Sequence, residues 1–238
     1  MKKIAATYAS IIHREKFAQK YFKALKTAYW MKNAFKTPKN LTIITLHNYH
    51  EKSLFEQSLD FLGIRNYVIL NESFEGPWRH TLKIQWILNY LKSGKCKTQY
   101  LLYCDARDSI LRVDPQTVLD LFIEQKISLL FNATMSKRAY YFGMPEILEW
   151  ARSVAPRSGR YLNSGAFVGV TDFVQKVFEV AIKYVSPDQH VVAGDVKSLN
   201  EFSEFPKGMD DQTILRYIHR EFYPAMNIDY YNRIFYRN

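Results

Sequence analysis

Gln99-Tyr100-Leu101-Leu102-Tyr103-Cys104-Asp105-Ala106-Arg107-Asp108-Ser109-Ile110-Leu111-Arg112 (QYLLYCDARDSILR) decides the reading of this sequence. Its first six residues are almost all apolar or aromatic, and two aspartates three apart, Asp105 and Asp108, follow at once. A short, nearly continuous apolar run fits a strand buried on both faces of a parallel sheet better than it fits a helix. Carboxylates at the carboxyl end of such a strand lie in the crevice where open α/β sheets take their ligands. A divalent cation that bridges a diphosphate needs one or two hard oxygen ligands from protein, with phosphate and water completing the shell. Asp105 and Asp108 are candidates for that role. The competing reading is a solvated turn in which Asp108 caps the next segment.

The chain around this stretch, at 238 residues, suits one large domain or one domain with an appendage. Two cysteines, Cys96 and Cys104, make no disulfide framework, which points to a reducing compartment. No apolar run approaches the roughly 18 residues that span a bilayer, and the N-terminus shows no apolar core of a secretory signal. The sequence is therefore expected to be cytoplasmic, and the sequon-like triplets at Asn40, Asn71 and Asn132 are expected to be chance.

The net charge of +10 is unevenly spread. Residues 1–40 hold ten Lys and Arg against Glu15 alone, whereas the remaining 23 basic and 22 acidic residues nearly cancel. A nucleic-acid binder would carry its basic stripe on the folded body, so nucleic acid is not an expected partner. Residues 3–32 lack Pro and Gly and repeat Ile4, Tyr8, Ile11, Ala18, Phe22, Leu25 and Tyr29 near helical spacing, with lysines between. The pattern predicts a basic amphipathic helix, or two with a break near His13. It either lies on an anionic membrane surface, through residues 1–36, or packs on its own domain with lysines in water. Residues 1–40 are thus expected to form a helical extension and linker, and 41–238 the folded domain.

From Leu41 strand and helix patterns alternate: a strand at Leu41–Leu46, a helix at His50–Leu62 ended by Gly63, and a strand at Tyr67–Leu70. A helix at Arg79–Leu91, the central strand, a short helix at Val118–Glu124 and a strand at Ile127–Phe131 follow. This order predicts an α/β domain with a mostly parallel, doubly wound sheet. The second half predicts a helix at Pro145–Arg152, a strand at Ala166–Val170, and helices at Phe173–Tyr184 and Asp211–Phe222. Trp30, Trp86 and Trp150 sit at helical spacing and read as packing.

Three signals occur in order: Asp105-Ala106-Arg107-Asp108, the segment Tyr161-Leu162-Asn163-Ser164-Gly165-Ala166-Phe167-Val168-Gly169, and Asp210-Asp211-Gln212 opening a helix. With Ile228-Asp229 and Ile234-Phe235 they resemble the glycosyltransferase domain of procollagen lysyl hydroxylases and the related collagen-type sugar transferases. The resemblance runs from about Leu41 to Phe235. It implies a GT-A-like single domain that uses Mn²⁺ (or Mg²⁺) and a UDP-sugar to transfer a hexose to a hydroxyl acceptor on a glycan, lipid-linked glycan or protein. On it, Asp105 and Asp108 match the family's metal-binding D-x-x-D.

Asn163, Ser164 and Gly165 match the segment beside the donor sugar, where a small residue lets backbone approach and an amide serves hydroxyls. Their other reading is an ordinary turn into a strand. Asp210, Asp211 and Gln212 match the acidic cluster at the transfer site, and Asp210 also reads as a helix N-cap, the two roles being compatible. For the nucleotide, Thr45 and His47 follow the first strand, Trp78 would stack on uracil or be plain core, and Lys83 would reach phosphate. Arg107 replaces the family's usual aromatic and either pairs with phosphate or balances the carboxylates. Asn132 stands near where the family tends to carry a glutamate. The implied third metal ligand is a histidine beyond Ile234-Phe235, and this sequence ends at Asn238. His190 and His219 are poor substitutes, so water and diphosphate would complete the shell, or the chain is truncated, or activity is weak. The alternative from another class is a nucleotide-sugar-binding module that keeps the fold without turnover.

Overall fold

The computed structural model describes residues 11–13, 18–20, 22–24, 34–74, 78–135, 144–158, 160–185 and 210–236. Its strands are β1 (Ile11–His13), β2 (Leu41–Leu46), β3 (Val68–Leu70), β4 (Tyr100–Cys104), β5 (Ser109–Leu111), β6 (Leu129–Thr134), β7 (Tyr161–Val170), β8 (Met226–Ile228) and β9 (Phe235–Tyr236). Its helices are α1 (Leu54–Phe61), α2 (Leu82–Lys92), α3 (Pro115–Glu124), α4 (Pro145–Val154), α5 (Thr171–Ala181) and α6 (Asp211–Phe222).

Among the described residues, a six-stranded sheet has the order β3-β2-β4-β7-β6-β8. Only β7 runs against the rest, antiparallel to both β4 and β6. The domain is therefore α/β with a mostly parallel central sheet, as the strand–helix alternation predicts. The two-residue period of each strand divides its side chains between two cores. Leu101 and Tyr103 join the core under α2, α5 and α6, whereas Leu102 and Cys104 join the opposite core with residues of α1 and α3. All four are fully buried. That is why the central strand is a continuous apolar run rather than an alternating one.

Helix starts follow local chemistry. The Ser53 hydroxyl accepts from the Glu56 N–H and the Glu56 carboxylate accepts from the Ser53 N–H, a reciprocal cap that begins α1 later than His50. Gly63, at φ +80°, ends α1 where a Cβ would meet the Ala34 Cα at 2.8 Å. Asp114 caps α3, with Pro115 in its first turn.

Besides shifts of a few residues at the ends of other elements, two segments differ in kind or extent from their sequence reading. Ile11–His13, expected to be helical, forms β1, which runs antiparallel to β5 and parallel to β9. Pairing on both sides, with β5 and with β9, outweighs the helical pattern there. Residues 18–20 and 22–24 are helical, as expected, and Ala18 and Phe22 are buried in the α1–α3 core. The other residues of the 3–32 helix, Trp30 among them, lie outside the described residues. The second difference is β7, which begins at Tyr161 rather than Ala166. Asn163-Ser164-Gly165 is not a turn but the irregular middle of one strand. Phe131 pairs with Phe167 and the next residue, Asn132, with Asn163, so residues 164–166 bulge out of the β6 ladder. Asn132 is fully buried, in keeping with its sequon being chance.

Candidate active site

The bulge of β7 faces the end of β4. The Asp105 N–H donates to the Gly165 carbonyl at 2.8 Å, which fixes the first carboxylate beside the bulge. The chain then turns through Ala106, whose carbonyl accepts from the Phe55 N–H at the start of α1, and continues into β5. Asp105 and Asp108 are thus held on a short turn anchored at both ends. Both line a cavity of about 380 Å³ at the carboxyl ends of β2 and β4.

Lys83, in the first turn of α2, lies at the centre of the arrangement. It is 5% exposed, and its Nζ lies 3.0 Å from Asp105 Oδ1, 2.8 Å from Asp211 Oδ2 and 3.3 Å from the Ser164 carbonyl, to which it donates. Burial alone would lower this ammonium, but Asp105 and then Asp211 outweigh burial and hold it above the ordinary lysine value. Its charge also lies 5.3 Å from the centre of the Tyr103 ring. The Tyr103 hydroxyl donates to Asp105 Oδ1 at 2.5 Å. Burial, followed by the Asp105 charge, pushes this phenol well up, so it remains a donor.

Asp210 caps α6 by accepting from the Thr213 N–H at 2.7 Å. Burial, reinforced by Asp211, raises its carboxyl above the usual range. Gln212 follows, 7% exposed, in a chain of amides whose direction is fixed at the bulge. The Gly165 N–H can only donate, and it donates to Asn163 Oδ1, which also accepts from Asn132 Nδ2. Asn163 must then donate through Nδ2 to Gln212 Oε1, so the Gln212 amide nitrogen is the end turned away from the network.

The cavity wall also carries aromatic rings. The Tyr49 N–H donates to His47 Nδ1, so the ring proton sits on Nε2, 2.7 Å from Glu56 Oε2. The imidazole stacks on the Tyr49 ring at 4.8 Å and 19°. Trp78 lines the same cavity while meeting Phe74 and Trp86 edge-on in the core.

The structure therefore gathers Asp105, Asp108, His47, Trp78, Lys83 and Arg107 around one cavity. Ser164 and Asp211 touch its Lys83 wall, and Asn163, Gly165, Asp210 and Gln212 adjoin it through the bulge and α6. Thr45 is elsewhere in effect: it is buried and its hydroxyl donates to the Cys104 carbonyl at 2.8 Å, tying β2 to β4. Tyr49, His80 and Tyr103 also line the cavity, and sequence reading passed over them. Tyr103 is legible only as core, Tyr49 sits on a loop without periodicity, and His80 falls inside the expected helix Arg79–Leu91, which begins only at Leu82 and leaves His80 on the turn before it. His219 is buried and faces the Met226 carbonyl and Trp150, away from these carboxylates, and His190 lies outside the described residues. Asp105 and Asp108 are hard-oxygen donors on one wall. Among the described residues no group of three His, Cys, Asp or Glu side chains is arranged to hold a metal ion.

No protein-family model and no curated relative matches the chain. Among solved structures it is similar to a glycosyltransferase involved in the glycosylation of the major capsid of PBCV-1. The identity is 14%, the match covers 79% of this chain and 80% of that one, and the TM-score is 0.42.

Proposed function

We propose that the chain is a metal-dependent glycosyltransferase of the collagen-type GT-A kind, moving a hexose from a UDP-sugar to a hydroxyl acceptor. One observation carries the reading: a single buried ammonium, Lys83, meets Asp105, Asp211 and the Ser164 carbonyl, so three motifs distant in sequence converge on one point. A purely structural role would not require all three beside an open cavity.

Mn²⁺ or Mg²⁺ suits Asp105 and Asp108, because such ions bind through one or two carboxylates and take their remaining ligands from phosphate and water. When bound, it would neutralise charge on the departing diphosphate. Lys83 keeps the two flanking carboxylates at fixed positions, and Tyr103 orients Asp105 by its hydroxyl. Arg107, exposed at the cavity, offers a fork of N–H groups to phosphate oxygens. Asp211, held by the Lys83 ammonium, offers its carboxylate to positive charge developing on the sugar. Gln212 offers its N–H₂ to a sugar oxygen.

Incubation with Mn²⁺ and a panel of nucleotide sugars should release UDP from at least one donor. Folded protein that releases UDP from none overturns transfer, and UDP binding without release favours the non-catalytic module instead.

We further propose that the basic segment associates peripherally with an anionic membrane surface on the cytoplasmic face. No helix among the described residues is long and apolar enough to cross a membrane. Because Ile11, Ala18 and Phe22 are buried in the domain, the test is charge reversal rather than deletion. Lys20 and Lys23 are exposed, and K20E/K23E should lower sedimentation with anionic vesicles. Equal sedimentation overturns the idea.

A further inference from the structure

We infer that Tyr49, buttressed by His47 and Glu56, is the stacking platform for the nucleobase of the donor. This rests on the nucleotide-sugar reading above and adds to it a recognition residue outside the motifs that suggested that reading.

The cavity wall combines two chemistries. Lys83, Asp105, Asp108 and Arg107 bring charge to it, and Tyr49 and Trp78 bring rings. A nucleoside diphosphate combines the same two, an anionic diphosphate joined to a planar base. Among the phenol and indole rings of that wall, Tyr103 is fully buried, and Trp78 is built into the core, meeting Trp86 at 5.6 Å and 86° and Phe74 at 5.8 Å and 80°. Tyr49 lines the cavity and remains 45% exposed.

Its orientation is fixed from behind. One face lies on the His47 ring, and that ring is held at both nitrogens, by the Tyr49 N–H and by Glu56 Oε2. The same Glu56 oxygen accepts from the Ser53 N–H as part of the α1 cap, so the support is rooted in a helix start. An aromatic ring held this way loses little freedom when a base stacks on it, which is the condition under which stacking contributes most to affinity. His47 and Glu56 act as positioning residues.

Calorimetry with two probes in the presence of Mg²⁺ tests this: UDP, which has a base, and inorganic pyrophosphate, which has none. Wild-type protein should bind UDP more tightly than pyrophosphate. Y49A should weaken UDP roughly tenfold to a hundredfold, the usual yield of one base–aromatic stack, and leave pyrophosphate unchanged. Y49F should stay within about twofold of wild type for both probes. Y49L, which keeps apolar bulk but no ring, should behave as Y49A does, separating stacking from packing. Equal UDP affinity in Y49A and wild type, or a parallel loss of both probes in Y49L, overturns the platform while the diphosphate site stands. Wild-type protein that binds neither probe overturns the underlying reading as well.

Discussion

Asp105 follows β4 and Asp229 follows β8, so both are carboxylates released at the end of a parallel strand, yet their surroundings differ throughout. Asp229 is 2% exposed; its Oδ1 accepts from the Arg233 N–H, and its Oδ2 accepts from the N–H groups of Ile234 and Phe235. Burial raises its carboxyl and the backbone donors oppose that, leaving it above the usual range. Asp105 instead has a side chain 30% exposed on a cavity, with a phenol and an ammonium as partners. A carboxylate saturated by backbone N–H groups shapes the chain, whereas one held by side-chain donors beside an opening is positioned for a ligand. The Ile228-Asp229 match therefore marks a clamp, and the Asp105 match marks the candidate site.

That contrast can be broken by substitution. Asp229→Ala should have the largest effect on folding: three N–H groups, two of them buried, lose their acceptor, at about 1–3 kcal/mol for each buried one. Chemical denaturation should show a loss on the order of 5 kcal/mol or outright unfolding. A change below about 1 kcal/mol would remove the clamp from the comparison.

Asp105→Asn should do the reverse. It keeps the shape and an acceptor for Tyr103, so the melting temperature should move by only a few degrees, while Mn²⁺-dependent UDP release should fall by about a hundredfold or more. Retained activity would place Asp105 with Asp229 as a structural group.

A smaller effect sharpens the boundary between site and scaffold on α6. Burial lowers His219 from 6.5 to about 4, so the fold keeps it neutral with Nε2 against the Met226 carbonyl. Between pH 6.5 and 4 the unfolded chain takes up a proton that the folded chain refuses, so stability falls as pH falls through this window. His219→Gln, which retains a donor, should remove roughly 2 kcal/mol of the acid sensitivity measured between pH 7 and pH 5. UDP affinity at pH 7 should be unchanged. An unaltered pH dependence of stability would assign the acid sensitivity elsewhere.

The parts of the structure that rest on local periodicity were legible in the sequence. Leu41–Leu46, the central strand and α6 lie where their patterns put them, and Asp210 caps α6 as its position predicted. What was not legible depends on contacts between distant segments. The three-residue strands β1 and β5 are too short to show a period, and each exists because of its partner. The bulge in β7 hides a ten-residue strand behind an Asn-Ser-Gly sequence that resembles a turn. Thr45 and Tyr49 show the limit for the site itself. Both flank the same strand end, and only packing decides that one hydroxyl ties strands together while the other ring meets the cavity.

The placement of β1 between β5 and β9 also orders events in time. Ile11 is registered against both Leu111 and Phe235, so the buttress behind the Asp105–Asp108 turn joins segments far apart in the sequence. On a ribosome β9 emerges after every strand of the central sheet has been made. Competence for binding at that turn should therefore appear only once β9 has reached β1, rather than when the central sheet first forms.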